Sequence, residues 1–111
     1  MEPRQEQDFE AVTVTVPTIA ATTLIVGRAV WVYGFSLREA SGAAAADIDV
    51  IAGGDGNGDT LATVTLGANE SVRDSLPHRG IYSSDGVTIK VNAGSVRGAV
   101  WVCYAGAGGR L

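Results

Sequence analysis

Val12-Thr13-Val14-Thr15-Val16 alternates valine with threonine without a break. A period of two puts every second side chain on one face of an extended strand, so one face turns inward and the other meets water. The pattern returns in Ala62-Thr63-Val64-Thr65-Leu66 and in Val87-Thr88-Ile89-Lys90-Val91-Asn92. Reading outward from these stretches, about eight strands are expected. They are Phe9–Val16, Thr22–Val26, Arg28–Leu37, Asp47–Ile51, Leu61–Leu66, Ser71–Leu76, Val87–Asn92 and Gly98–Tyr104. Turn chemistry separates them. Pro17 ends the first, residues 53–58 make a long glycine-rich turn, and Pro77-His78-Arg79-Gly80 and Asp85-Gly86 make two more. Asn92-Ala93-Gly94-Ser95 reads as a tight hairpin. Ala43–Ala46 is helix-prone but too short to hold a helix alone, and reads as a loop. The expectation is all-β: a single antiparallel β-sandwich, jelly-roll-like, over residues 9–105. A polar N-terminal arm precedes it (1–8) and a Gly-rich C-terminal tail follows (106–111).

At 111 residues the chain is one domain, long enough for one core without staples. Its 46% hydrophobic and 18% charged content is that of a globular protein. A net charge of −4, with Arg and Lys scattered, opposes nucleic-acid binding. The single Cys103 excludes an internal disulfide, and its apolar surroundings read as a small buried hydrophobe. The first residues do not form a signal-peptide pattern, and no apolar run reaches the ~20 residues of a membrane span. No membrane partner is expected, and synthesis in a cytoplasm is.

Two runs resemble one another: Ala29-Val30-Trp31-Val32-Tyr33-Gly34 and Ala99-Val100-Trp101-Val102-Cys103-Tyr104. Both are apolar at odd and even positions alike, so both strand faces prefer to avoid water, yet a two-layer sandwich offers one core face per strand. Strict alternation assigns Trp31, Tyr33, Phe35 and Leu37 to one face and Val30 and Val32 to the other. The second face then needs a cover: the arm, a loop or another subunit. The expected interface is Val30, Val32, Val100 and Val102, joined by Glu2, Pro3 and Arg4 of the arm.

Little in the chain is suited to covalent chemistry, and no enzyme is expected. Asp55, Asn57 and Asp59 set oxygen side chains at alternate positions on a glycine-rich loop, as calcium loops begin. Leu66 stands where such a loop needs its closing carboxylate, so a solvated turn is the preferred reading and no cofactor is expected. His78 has no second His or Cys partner for zinc, and Ser75, His78 and Asp74 crowd one loop without a nucleophile elbow. Asp47 and Asp49 share a strand face and read as an outward acidic stripe that guards an edge. Glu70, Arg73 and Asp74 read as surface ion pairs.

Several pieces in order resemble a family of short structural proteins encoded by tailed bacteriophages and prophages of actinobacteria. They are Gly34-Phe35-Ser36-Leu37-Arg38-Glu39, Ser41-Gly42-Ala43-Ala44-Ala45, Leu61-Ala62 with Leu66, and Glu70-Ser71-Val72-Arg73-Asp74. Gly80-Ile81, Val87 and Gly94-Ser95-Val96-Arg97-Gly98 complete the set, which covers roughly residues 28–104. The resemblance implies a small β-sandwich of the virion with no catalytic site. It leaves open where on the particle the protein sits; a single short domain with an arm favours a head decoration (cement) protein that binds the major capsid protein and copies of itself, for instance as a trimer. A neck or tail component of the virion is the alternative within the family. Outside it stands a carbohydrate-binding adhesion module, with Trp31, Trp101, Tyr82 and Tyr104 as stacking platforms; exposed tryptophans would favour it.

Overall fold

The computed structural model describes residues 12–55, 58–76 and 80–105. They form nine strands: β1 (Val12–Ile19), β2 (Thr23–Val26), β3 (Val30–Glu39), β4 (Ala46–Ala52), β5 (Asp59–Leu66), β6 (Ser71–Ser75), β7 (Ile81–Ser83), β8 (Val87–Ala93) and β9 (Val96–Tyr104). No helix occurs among the described residues, and Ala46 opens β4 directly from the loop. The strands make two antiparallel sheets, β1-β9-β3-β6 with β7 also paired to β3, and β2-β8-β4-β5. The sheets enclose one core: Val16, Phe35, Val100 and Val102 from the first meet Val26, Ile48, Val64 and Ile89 from the second. The chain is the β-sandwich that its alternation predicts.

Most connections step from one sheet to the other. Among successive strands, β4 and β5 form a hydrogen-bonded hairpin across the glycine-rich turn. The expected hairpin at Asn92–Ser95 is instead a crossing: β8 lies in one sheet and β9 in the other, so Gly94 and Ser95 carry the chain between layers. Pro17 does not end the first strand, which continues to Ile19 after a register irregularity. β1 is an edge strand paired with β9, where a missing N–H need not break a ladder. β7 is a three-residue strand that the alternation does not announce.

β3 does not follow strict alternation in the face it buries. Val32 pairs with Val102 and Gly34 with Trp101, so Tyr33 is an extra residue, a β-bulge. The bulge shifts the alternation by one. Val30 and Val32 before it, and Phe35 and Leu37 after it, all point inward and are at most 1% exposed. Trp31 points outward and is 38% exposed. Val100 and Val102 of β9 are likewise fully buried in the core. The four valines expected to meet a partner are therefore core residues and offer no surface. The aromatic side chains, not the valines, hold the outer face.

Asp47 and Asp49 do face outward while Ile48 and Val50 are fully buried. They guard no edge, however, because β4 lies between β8 and β5.

Candidate interaction face

The outer face of the five-stranded sheet can be laid out row by row from the strand register. At one end Arg38 of β3 stands opposite Arg97 of β9 and Ser71 of β6. The next row holds Ser36 between Ala99 and Arg73, with Thr15 beyond Ala99. Then comes Gly34 between Trp101 and Ser75, with Thr13 beyond Trp101. The last row has Trp31 between Cys103 and Tyr82. Aromatic side chains thus gather at one end, Arg38 and Arg97 stand at the other, and Arg73 lies between them with its guanidinium toward Trp101.

The aromatic end is built by close approach. A Cβ on Gly34 would stand 3.2 Å from Trp101 Cε3, so the indole lies against the bare backbone of β3. The Arg73 guanidinium sits over the same indole, 5.0 Å from the ring centroid, which is cation–π range. Trp31 and Tyr82 pack with ring centroids 5.2 Å apart at an interplanar angle of 55°. Tyr82 is 48% exposed, and Trp101 is half-buried. Val12 and Leu24 are the other large apolar side chains exposed among the described residues, and Trp31 and Tyr82 are the two that pack against one another on one sheet. At this end of the sandwich Arg28 also lies over the Tyr104 ring at 4.7 Å, and Ala105 N–H donates to the Ala29 carbonyl at 3.0 Å.

The arginine end is anchored by Glu39. Its carboxylate is 1% exposed and collects four donors. The Ser41 hydroxyl donates at 2.6 Å, and the N–H groups of Ser41, Gly42 and Asn69 donate at 2.7, 2.7 and 3.0 Å. The Ser41 hydroxyl bond, followed by that from Asn69 N–H, pulls the carboxyl down from its ordinary 4.5 to about 2, against the opposing effect of burial. The bonds join the β3–β4 loop to the β5–β6 turn, and Ala40 N–H reaches the Ser95 carbonyl in the β8–β9 crossing. Three crossings are thereby clamped beside the Arg38–Arg97 row. At the far end the buried Ser83 and Thr88 hydroxyls donate to the carbonyls of Gly86 and Gly53 at 2.6 and 2.8 Å.

Of the other expected residues, those that are described are not brought together into a site. Asp55 and Asp59 are exposed at the ends of the β4–β5 turn, and Asn57 lies outside the described residues. No group of three or more His, Cys, Asp or Glu is placed to hold a metal among the described residues. His78 and the interface residues Glu2, Pro3 and Arg4 also lie outside them, as do the arm and the tail. Asp74 accepts from Ser75 N–H at 2.9 Å and Glu70 from Gly67 N–H at 2.6 Å, while Arg73 stacks on Trp101, so the expected ion pairs do not form. Cys103 is buried. No described helix is long and apolar enough to cross a membrane. Of the residues on the outer face, Trp31, Tyr82 and Trp101 were legible as aromatics, but their placement depends on the Tyr33 bulge. Comparison with protein-family models, curated proteins and solved structures finds no match.

Proposed function

We propose that the chain is a non-enzymatic structural protein of a bacteriophage virion, a head decoration module that docks on the major capsid protein and adjoins further copies of itself. The observation that carries this reading is the outer face of the five-stranded sheet. It exposes Trp31 and Tyr82 beside Trp101 and Arg73, and Trp, Tyr and Arg are the side chains that dominate binding energy at protein interfaces. The strand order supports it. With β7 set aside, β1-β9-β3-β6 facing β2-β8-β4-β5 reads as a jelly roll, an architecture shared by viral capsid and lectin domains. The resemblance of residues 28–104 to phage structural proteins points the same way. The protein would be made in the host cytoplasm and act on the particle.

The test uses particles of the phage whose genome encodes the chain. Mass spectrometry of purified heads should find the protein in a fixed ratio to the major capsid protein. Soluble protein should rebind heads stripped of it, and Trp31→Ser with Tyr82→Ser should abolish rebinding while the variant stays folded. Absence from the head, or location confined to neck and tail, would end the decoration reading.

The exposure of Trp31 and Tyr82 also favours a second reading, an adhesion module that stacks sugar rings. Against it, the two rings are inclined by 55° and offer no common flat platform. Tryptophan fluorescence that shifts on titration with host cell-wall glycans would favour this second reading over the first.

A further inference from the structure

Among the described residues the arginine end of the outer face carries no balancing carboxylate. Arg38 and Arg97 are exposed and directly opposite one another on β3 and β9. Like charges in that position oppose strand pairing. Arg73 adds a third positive charge one row away. Among the described residues no side-chain hydrogen bond or ion pair engages Arg38 or Arg97. No outward strand position on this sheet carries Asp or Glu.

The nearby acids are committed elsewhere. Glu39 is buried with four donors, Glu70 and Asp74 bind backbone N–H groups, and Asp47 and Asp49 lie on the opposite sheet. Among the described residues of a chain of net charge −4, three arginines therefore gather on one face with no outward carboxylate beside them.

From this we infer that the Arg38–Arg97–Arg73 cluster receives carboxylates of a partner protein, an acidic segment laid along β3 and β9 with its apolar residues against Trp31 and Tyr82. This rests on the reading of the outer face as the docking face, and names the chemistry of what docks there. Guanidinium forks match carboxylates in bidentate geometry. Two features favour a protein over a nucleic acid: the acidic remainder of the molecule repels a long polyanion, and the aromatic ridge continues directly from the arginines. Ser36 and Ala99 keep the row between the two ends small, and Trp101, lying on Gly34 with Arg73 over it, links the arginines to the aromatic end.

The experiment has two arms. The first measures rebinding to stripped phage heads across a salt series for the intact protein, Arg38→Ser/Arg97→Ser, and Arg38→Lys/Arg97→Lys. The serine pair should bind about tenfold or more weakly with a flatter salt dependence, and the lysine pair should recover the salt dependence but only part of the affinity. Melting temperature should be unchanged or raised in the serine pair, because a repulsion has been removed. Equal binding and equal salt dependence in all three would overturn the inference while leaving the virion reading intact.

The second arm titrates the same proteins with poly-L-glutamate, with a sulfated glycan and with duplex DNA, and does not depend on phage heads. Poly-L-glutamate binding that needs Arg38 and Arg97 supports the inference even if head binding fails and the virion reading falls. Failure to bind it, or tighter binding of the glycan or DNA at equal charge concentration, overturns it.

Discussion

Glu39 carries a full charge almost out of contact with water because four donors converge on its two oxygens. With its carboxyl held near 2 in the folded chain and 4.5 as the ordinary value, the native state prefers the ionised form more strongly than the unfolded chain does. Its contribution to stability is therefore complete above about pH 4.5 and is lost as pH falls toward 2. Glu39→Gln should lower the melting temperature near neutral pH, since one amide oxygen cannot serve all four donors. The gap between the two proteins should close between pH 4.5 and 2, as calorimetry can follow; a constant gap would mean that the charge is not what holds the loops. Two glycines make a second test at this scale. A Cβ on Gly34 would stand 2.5 Å from the Asp74 carbonyl oxygen, and one on Gly86, at φ 108°, would run into the Val26 carbonyl. Each change to Ala should cost about 2 kcal/mol or more in urea unfolding. Gly67→Ala, with its nearest atom at 3.4 Å, should stay within about 0.5 kcal/mol. Gly34→Ala should also red-shift Trp101 emission as the indole lifts from β3.

Within β3 a single extra residue decides what the protein shows to its surroundings. Tyr33 interrupts the pairing with β9, and the valines before it share the inner face with Phe35 and Leu37 after it. Val32→Asp should therefore unfold the domain or cost about 3–5 kcal/mol, as a buried unpaired charge does. Trp31→Ser, one residue away, should cost about 1 kcal/mol and leave the strand content seen by circular dichroism unchanged. Comparable costs at the two positions would contradict the bulged register. The same bulge explains what could be read from the sequence. Where polar and apolar residues alternate, as in β1, β5 and β8, the strands and their buried faces were legible, because only one register hides the apolar set. In Val30–Leu37 both sets are apolar, so pattern alone cannot report an inserted residue and places Val30 and Val32 on the outer side. The Asn92–Ser95 crossing was read as a hairpin because turn residues specify a reversal of the chain and not whether the next strand joins the same sheet. β7 has only three residues, fewer than any period needs. The role of Gly34 as the bed of Trp101 depends on the pairing of β3 with β9 and β6, which no local pattern reports.

At the scale of the whole molecule the sandwich closes its core with its own two sheets. Val30, Val32, Val100 and Val102 are fully buried within one chain, so folding does not require a second subunit to cover them. The outer faces differ in character: arginines with aromatics on the β1-β9-β3-β6 sheet, and Asp47, Asp49, Thr63 and Thr65 on the β2-β8-β4-β5 sheet. Such a module is suited to sit on a surface that matches one face while presenting the other to solvent. The expectation for the isolated protein follows by mass action. A chain whose stability depended on association would melt at a temperature that rises with protein concentration, because ligation of the folded state by a second copy shifts unfolding. Here the melting temperature should be independent of concentration, light scattering should give the mass of one chain at high dilution, and Trp31→Ser with Tyr82→Ser should alter neither. If the proposed virion role holds, association on a particle would draw on this outer face, and the same double substitution should weaken binding to heads. A melting temperature that climbs with concentration and stops climbing in the double variant would instead make a second copy of the chain the occupant of the aromatic face.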